Sequence, residues 1–217
     1  MTGHRVTLLD RAHRLVNPGP ARPGNITVAG LFRDQLAEVA CPEASTFRFP
    51  EASICVRSNS AALLAQLERY FAPWSSPTRP DALELFAIEG EPPTFGLSPD
   101  DYSSDADKRS NREAWIDLRD GRIFHELSTG LKFLVGRGPL LCRGHCTEHS
   151  SSVIEFILSR LQELHQRDGW APCHAAGLVS DGRGLAVAGP KRSGKSTFAL
   201  LMLRHGAGFA SNDDVWI

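Results

Sequence analysis

Gly189-Pro190-Lys191-Arg192-Ser193-Gly194-Lys195-Ser196-Thr197 constrains this chain more than any other stretch. It satisfies the pattern G-x-x-x-x-G-K-[ST] at every fixed position, a loop whose backbone N–H groups cradle phosphate. Its flanks fit the same reading. Leu185-Ala186-Val187-Ala188 reads as a buried strand, and Thr197 to His205 as a helix with no breaker before Gly206. Strand, loop and helix in that order aim loop amides and the positive end of the helix dipole at one point. The pattern assigns Lys195 to the β- and γ-phosphates and the Ser196 hydroxyl to Mg²⁺. Lys191 and Arg192 either neutralise phosphate charge or face solvent.

The next residues strengthen the motif. A helix from Ser196 to His205 rises about 15 Å away from the loop. Gly206-Ala207-Gly208 turns the chain, and Phe209-Ala210-Ser211 reads as a strand returning about 10 Å. A right-handed crossover makes it parallel to the first strand and delivers Asn212-Asp213-Asp214 beside the loop. Carboxylates there hold Mg²⁺ or accept a proton from an attacking hydroxyl. Asp213 and Asp214 are therefore candidate catalytic residues, and Ser196 with Asp213 candidate metal ligands; the alternative is a solvated turn pair.

His174-Ala175-Ala176-Gly177-Leu178-Val179, Gly184 to Ser196 and Ser211-Asn212-Asp213-Asp214-Val215 together resemble the catalytic core of HPr kinase/phosphorylase. The likeness is closer to the HPr-kinase-related group called HprK-related kinase B, and Ala52 to Ser60 also resembles its N-terminal part. The resemblance is specific over the segment from His174 and looser upstream. It implies an ATP-dependent kinase acting on a hydroxyl, a protein serine in HPr kinase itself. It implies a fold related to phosphoenolpyruvate carboxykinase, with ATP and Mg²⁺ bound and the aspartate after the strand as base. It also places a histidine at the site, whereas position alone reads His174 as a core histidine at a strand start. HPr kinases carry an Asp-Asp pair where this chain has Asn212-Asp213, so either Asp213 acts as the base or the chemistry differs.

The chain has 217 residues, 41% hydrophobic, with a net charge of −1. That suits one large or two small domains and gives no basic field for nucleic acid. No run approaches a membrane span, and no signal peptide is evident after Met1. Five scattered cysteines fit reduced thiols, hence a cytoplasmic location. Cys142-Arg143-Gly144-His145-Cys146 has one Cys-x-x-x-Cys pair and no distant partner pair, so it reads as strand and loop rather than zinc site.

Upstream, Thr7 to Val16 reads as a short helix and Asn17 to Gly24 as a break. Asn25 to Phe32 reads as a strand, and Asp34 to Ala40 as a short helix or a loop. Thr46 to Phe49, Ser53 to Arg57 and Leu83 to Ile88 read as strands. Ser58 or Ser60 caps a helix through Phe71. Gly90 to Arg112 is a long stretch of proline, serine and mixed charge, read as a disordered insert in preference to a mobile functional loop. Two hairpins follow, over Asp120-Gly121 and over Gly136 to Pro139. Ser150 to Gln166 then reads as a helix with Ile154, Ile157, Leu158, Leu161 and Leu164 on one face.

The expected architecture is α/β (α+β overall): a β-rich N-terminal module over 1–145, then a P-loop kinase core over 146–217. The resemblance implies that kinases of this kind continue well past Ile217. The expectation is therefore a truncated member, with Phe209, Val215 and Ile217 on a poorly covered sheet and a tendency to homo-oligomerise. Three functions fit the residues: an ATP-dependent kinase with an unknown hydroxyl acceptor, a nucleoside triphosphatase, or a non-catalytic nucleotide-binding module.

Overall fold

The computed structural model describes residues 26–50, 52–77, 80–98, 101–103, 113–136, 138, 140–190, 192–211 and 214–217. The helix expected over Thr7 to Val16 and the break after it lie outside the described residues. The protein is a mixed α/β chain that divides into two compact units between Leu161 and Gln162. The division falls inside a helix that the sequence reading places wholly in the second module.

The first unit is built on a mixed sheet of eight strands. They are β1 (Glu43–Arg48), β2 (Ser53–Ser58), β3 (Ser75–Ser76), β4 (Leu83–Glu89), β5 (Glu113–Leu118), β6 (Gly121–Glu126), β7 (Lys132–Gly136) and β8 (Leu140–Gly144). Their order is β3-β1-β2-β4-β8-β7-β6-β5, with β2, β4 and β8 parallel and the other neighbours antiparallel. One face packs Phe47, Val56, Leu85 and Phe133 against α2 (Ala61–Tyr70) and the start of α3 (Ser150–Arg167). The other face packs Ile88, Ile123, Leu134 and Leu141 against α1 (Val28–Glu38). Ser60 caps α2 by accepting a hydrogen bond from Leu63 N, and a short 3₁₀ turn containing Pro73 follows Phe71.

Three expectations fail here. Asn25 to Phe32 is not a strand, because Thr27 caps a helix beginning at Val28. The Asp120 carboxylate, far away in sequence, accepts from Val28 N (2.7 Å) and Ala29 N (3.0 Å). An anion at the positive helix end overrides a weak local alternation. Residues 91–98 and 101–103 are not disordered, since Phe95, Leu97 and Tyr102 anchor them on the α1 side and Ser103 bridges Trp115; 104–112 lie outside the described residues. The first hairpin also turns one residue earlier than expected, over Arg119-Asp120. Gly121 belongs to β6, where a Cβ would sit 2.1 Å from Val135 O.

The second unit holds a smaller sheet centred on β9 (Pro172–Ser180). β10 (Arg183–Ala188) lies along one edge, antiparallel, after a tight turn in which Asp181 and Gly182 both have positive φ. β11 (Gly208–Ser211) and β12 (Asp214–Trp216) lie along the other edge, also antiparallel. α4 (Lys195–Arg204) packs Ala199 on Ala176 and Leu178, and Gly206 in the left-handed region ends it. Phe209 and Ile217 are 57% and 63% exposed, as expected, whereas Val215 is half-buried against Gly177. No helix among the described residues is long and apolar enough to cross a membrane.

Candidate functional site

β9 organises the candidate site. Its register sets Ala188, the last residue of β10, opposite Ala175, and sets Asp214 opposite His174. The loop from Gly189 therefore leaves one side of β9 at the level where Asp214 arrives on the other. With strands about 4.8 Å apart, the two backbones are separated by about 10 Å. β10 and β11 run parallel, as expected, but they are not neighbours: β9 lies between them. On the edge that β11 and β12 share, a Cβ on Gly177 would stand 3.0 Å from Val215 Cγ2, 3.3 Å from Ala210 Cβ and 3.3 Å from Ser211 N, so the two strands pack tightly over this residue.

The loop is shaped by two left-handed residues, Arg192 (φ 67°) and Gly194 (φ 91°). Such turns point successive N–H groups into a concavity that favours anions. At its start the loop folds closely on itself: a Cβ on Gly189 would meet Ser193 Oγ at 2.7 Å, so a larger residue there would displace that hydroxyl. Ser193 N donates to Pro190 O (3.2 Å) and Phe198 N to Gly194 O (2.8 Å), tying the loop into the helix. Lys195 Nζ donates to Gly189 O (2.9 Å) and Pro190 O (3.3 Å), which holds its ammonium across the loop. Gly194 is the N-cap of α4 and no side chain caps the helix. The first-turn amides, on Lys195, Ser196 and Thr197, are the donors a helix cannot satisfy internally.

Of the residues named from sequence, the structure gathers Gly189, Pro190, Arg192, Ser193, Gly194, Lys195, Ser196 and Thr197 into one loop and helix start. Ser196 and Thr197 are exposed on the first turn, and His174 is exposed at the adjoining level of β9. Asp214 enters only by its backbone position on β12. Lys191, Asn212 and Asp213 lie outside the described residues. Among the described residues no group of three or more His, Cys, Asp or Glu is placed to hold a metal ion.

Sequence reasoning missed the aromatic neighbours of this end of the sheet. Trp216, two residues after Asp214, stacks on His165 of α3 at 5.0 Å, and Trp170 meets the same ring edge-on at 6.3 Å. The Cys142 and Cys146 thiols lie far upstream as buried packing groups, 3.7 Å apart, and burial pushes Cys142 well above the ordinary thiol range. Compared with protein-family models, with curated proteins and with solved structures, the chain matches none.

Proposed function

We propose that the chain is an ATP-dependent kinase of the HPr serine kinase-like type, with a phosphate-binding loop as its nucleotide site and a hydroxyl as acceptor. The observation that carries this reading is the register of β9. It brings the loop, His174 and the strand after Asp213 to one level of one sheet. The loop fits a polyphosphate on three counts: two left-handed residues, a glycine at its closest approach and a helix start without a side-chain cap.

When bound, MgATP supplies the phosphoryl group for transfer and the metal charge that screens it. The loop amides and the α4 N-terminus hold phosphate oxygens in place. Lys195, which donates to Gly189 O and Pro190 O in this structure, would hold phosphate oxygens, and Ser196 would offer a hydroxyl from the first turn to the metal. Asp213, with Asp214 beside it, accepts the acceptor's proton. Positioning and charge, rather than covalent chemistry on the protein, account for the rate.

The test is calorimetry of MgATP binding by the 217-residue chain, with ADP release and acceptor labelling followed in the same samples. Lys195→Ala should weaken binding at least tenfold, about the loss of one charge-assisted hydrogen bond. Asp213→Asn should keep binding and abolish transfer. Transfer retained in Asp213→Asn and lost in Asp214→Asn would move the base by one residue. Binding indifferent to Lys195→Ala would remove the nucleotide site from this loop.

A further inference from the structure

We propose that the indoles of Trp216 and Trp170, set around His165, form the platform on which the purine base of the nucleotide stacks. This rests on the reading of the Gly189 loop as the phosphate site, and it accounts for the part of the nucleotide that the loop does not reach. The platform belongs wholly to the second unit.

Strand alternation puts Trp216 on the same face of the small sheet as α4. Ala176 and Leu178 of β9 lie on the face where α4 packs Ala199. Successive residues of a strand alternate between faces, so His174 and Pro172 occupy that face further along β9. Their register partners on β12 are Asp214 and Trp216, whose positions share it. Val215 belongs to the other face, where it lies against the position a Cβ on Gly177 would take. α4 starts at Lys195, and past that start His174 is exposed rather than covered. The loop, the helix N-terminus and Trp216 therefore border one stretch of one face. Ala188 ends β10 opposite Ala175, and Trp216 stands opposite Pro172, three residues on. That is about 10 Å along β9, with about 10 Å across from β10 to β12. The ribose and α-phosphate of a nucleotide bridge a gap of this size when the loop holds the terminal phosphates.

The aromatic groups there form a held surface rather than a core. The Trp216 indole lies on the His165 imidazole, with centroids 5.0 Å apart and an interplanar angle of 21°. Trp170 meets the same imidazole at 6.3 Å and 75°, and it is 50% exposed. The buried cluster of this unit, Ala176, Leu178 and Ala199, contains neither tryptophan. Main-chain bonds fix the two indoles relative to each other. Ala171 N donates to Ile217 O (2.8 Å) and Ile217 N to Ala171 O (3.0 Å), so the neighbours of Trp170 and Trp216 are paired. Trp170 N donates in turn to His165 O (3.0 Å). A flat, electron-rich surface held in this way binds planar rings by offset stacking. The base is the planar part of a nucleotide. Stacking reads ring area rather than base edges, so purines are favoured over pyrimidines and adenine and guanine bind alike.

Calorimetry of the full chain with two probes tests this: MgATP, and magnesium tripolyphosphate, which has neither base nor ribose. Trp216→Leu and Trp170→Ala should each weaken MgATP about tenfold, the ordinary worth of one base stacked on an aromatic ring, and leave tripolyphosphate unchanged. Lys195→Ala should weaken both probes. MgATP affinity indifferent to both tryptophans, with tripolyphosphate still bound, would overturn the platform and leave the loop standing. Binding of neither probe by the natural sequence would overturn the loop and the platform with it. If a tryptophan variant does not fold, photolabelling of the natural sequence with 8-azido-ATP decides the matter. Label on the peptide carrying Trp170 or Trp216, competed by ATP, supports the platform, and label confined to other peptides refutes it.

Discussion

His125 shows at the residue scale how a buried cation shapes its neighbours. Burial first, and then the Lys132 charge opposite it, lower its pKa below the ordinary 6.5. The unfolded chain therefore takes up this proton at a higher pH than the folded one. The resulting stability is complete above about pH 6.5 and is lost as pH falls through the folded value. Urea unfolding between pH 8 and pH 5 should show stability falling on the acid side. His125→Phe should flatten that fall, and an unchanged acid slope in the variant would assign it to other groups. Neither His125 nor Lys132 stands out in the sequence, where they fall in the arms of the two expected hairpins. The burial of Lys132 comes from Phe95 and Tyr102, in a stretch whose proline, serine and mixed charge suggest no packing at all. The loop over Gly189 to Thr197 is legible as a pattern because all the pattern's requirements are local: two glycines, a lysine and a hydroxyl at fixed spacing.

At the scale of the element, legibility follows the range of the deciding interaction. α2 and α3 were readable because their apolar stripes and boundaries are written within them. The cap of α2 illustrates the finer limit, since Ser58 and Ser60 are both plausible from sequence. Ser60 Oγ accepts from Leu63 N (3.2 Å), whereas Ser58 Oγ donates to Ala87 O (2.6 Å) in the neighbouring strand. Ser60→Ala should cost about 1 kcal/mol in urea unfolding, the ordinary worth of a serine cap. The hydrogen bond between Ser60 Oγ and Thr147 Oγ1 (2.9 Å) is lost with it. A midpoint unchanged within error would show that solvent replaces both bonds. α1 was misread for the complementary reason: its second cap, Asp120, is contributed by a distant hairpin turn. The place of β9 between β10 and β11 was equally hidden. Strand direction follows from connection length, but which strands touch is decided by pairing between distant segments, here β9 with β10 on one edge and β11 on the other.

Across the whole molecule, the two units differ in how much apolar surface they bury. The first unit has fully buried Phe47, Ile54, Leu63, Leu85, Ile88, Ile123 and Leu134 on the two faces of its sheet. The buried core cluster of the second consists of Ala176, Leu178 and Ala199, with Val187, Met202 and Leu203 partly covered. Leu185, Phe198, Leu200, Leu201 and Phe209 are meanwhile exposed. Burial is the main favourable term in folding, and small side chains contribute the least of it. The second unit should therefore open at a lower free energy than the first, and unfolding should not be a single two-state transition. Native-state hydrogen exchange separates the two: amides of β9 and β10 should exchange through openings well below the free energy that governs β2, β4 and β8. Equal opening energies in both sets would mean that the units unfold as one body. Saturating MgATP adds a second reading to the same experiment. A ligand held by the loop and α4 binds only the folded second unit, so β9 and β10 should gain protection by mass action while β2 and β4 stay unchanged. A gain confined to β2 and β4 would place the nucleotide on the first unit and refute the phosphate-loop site.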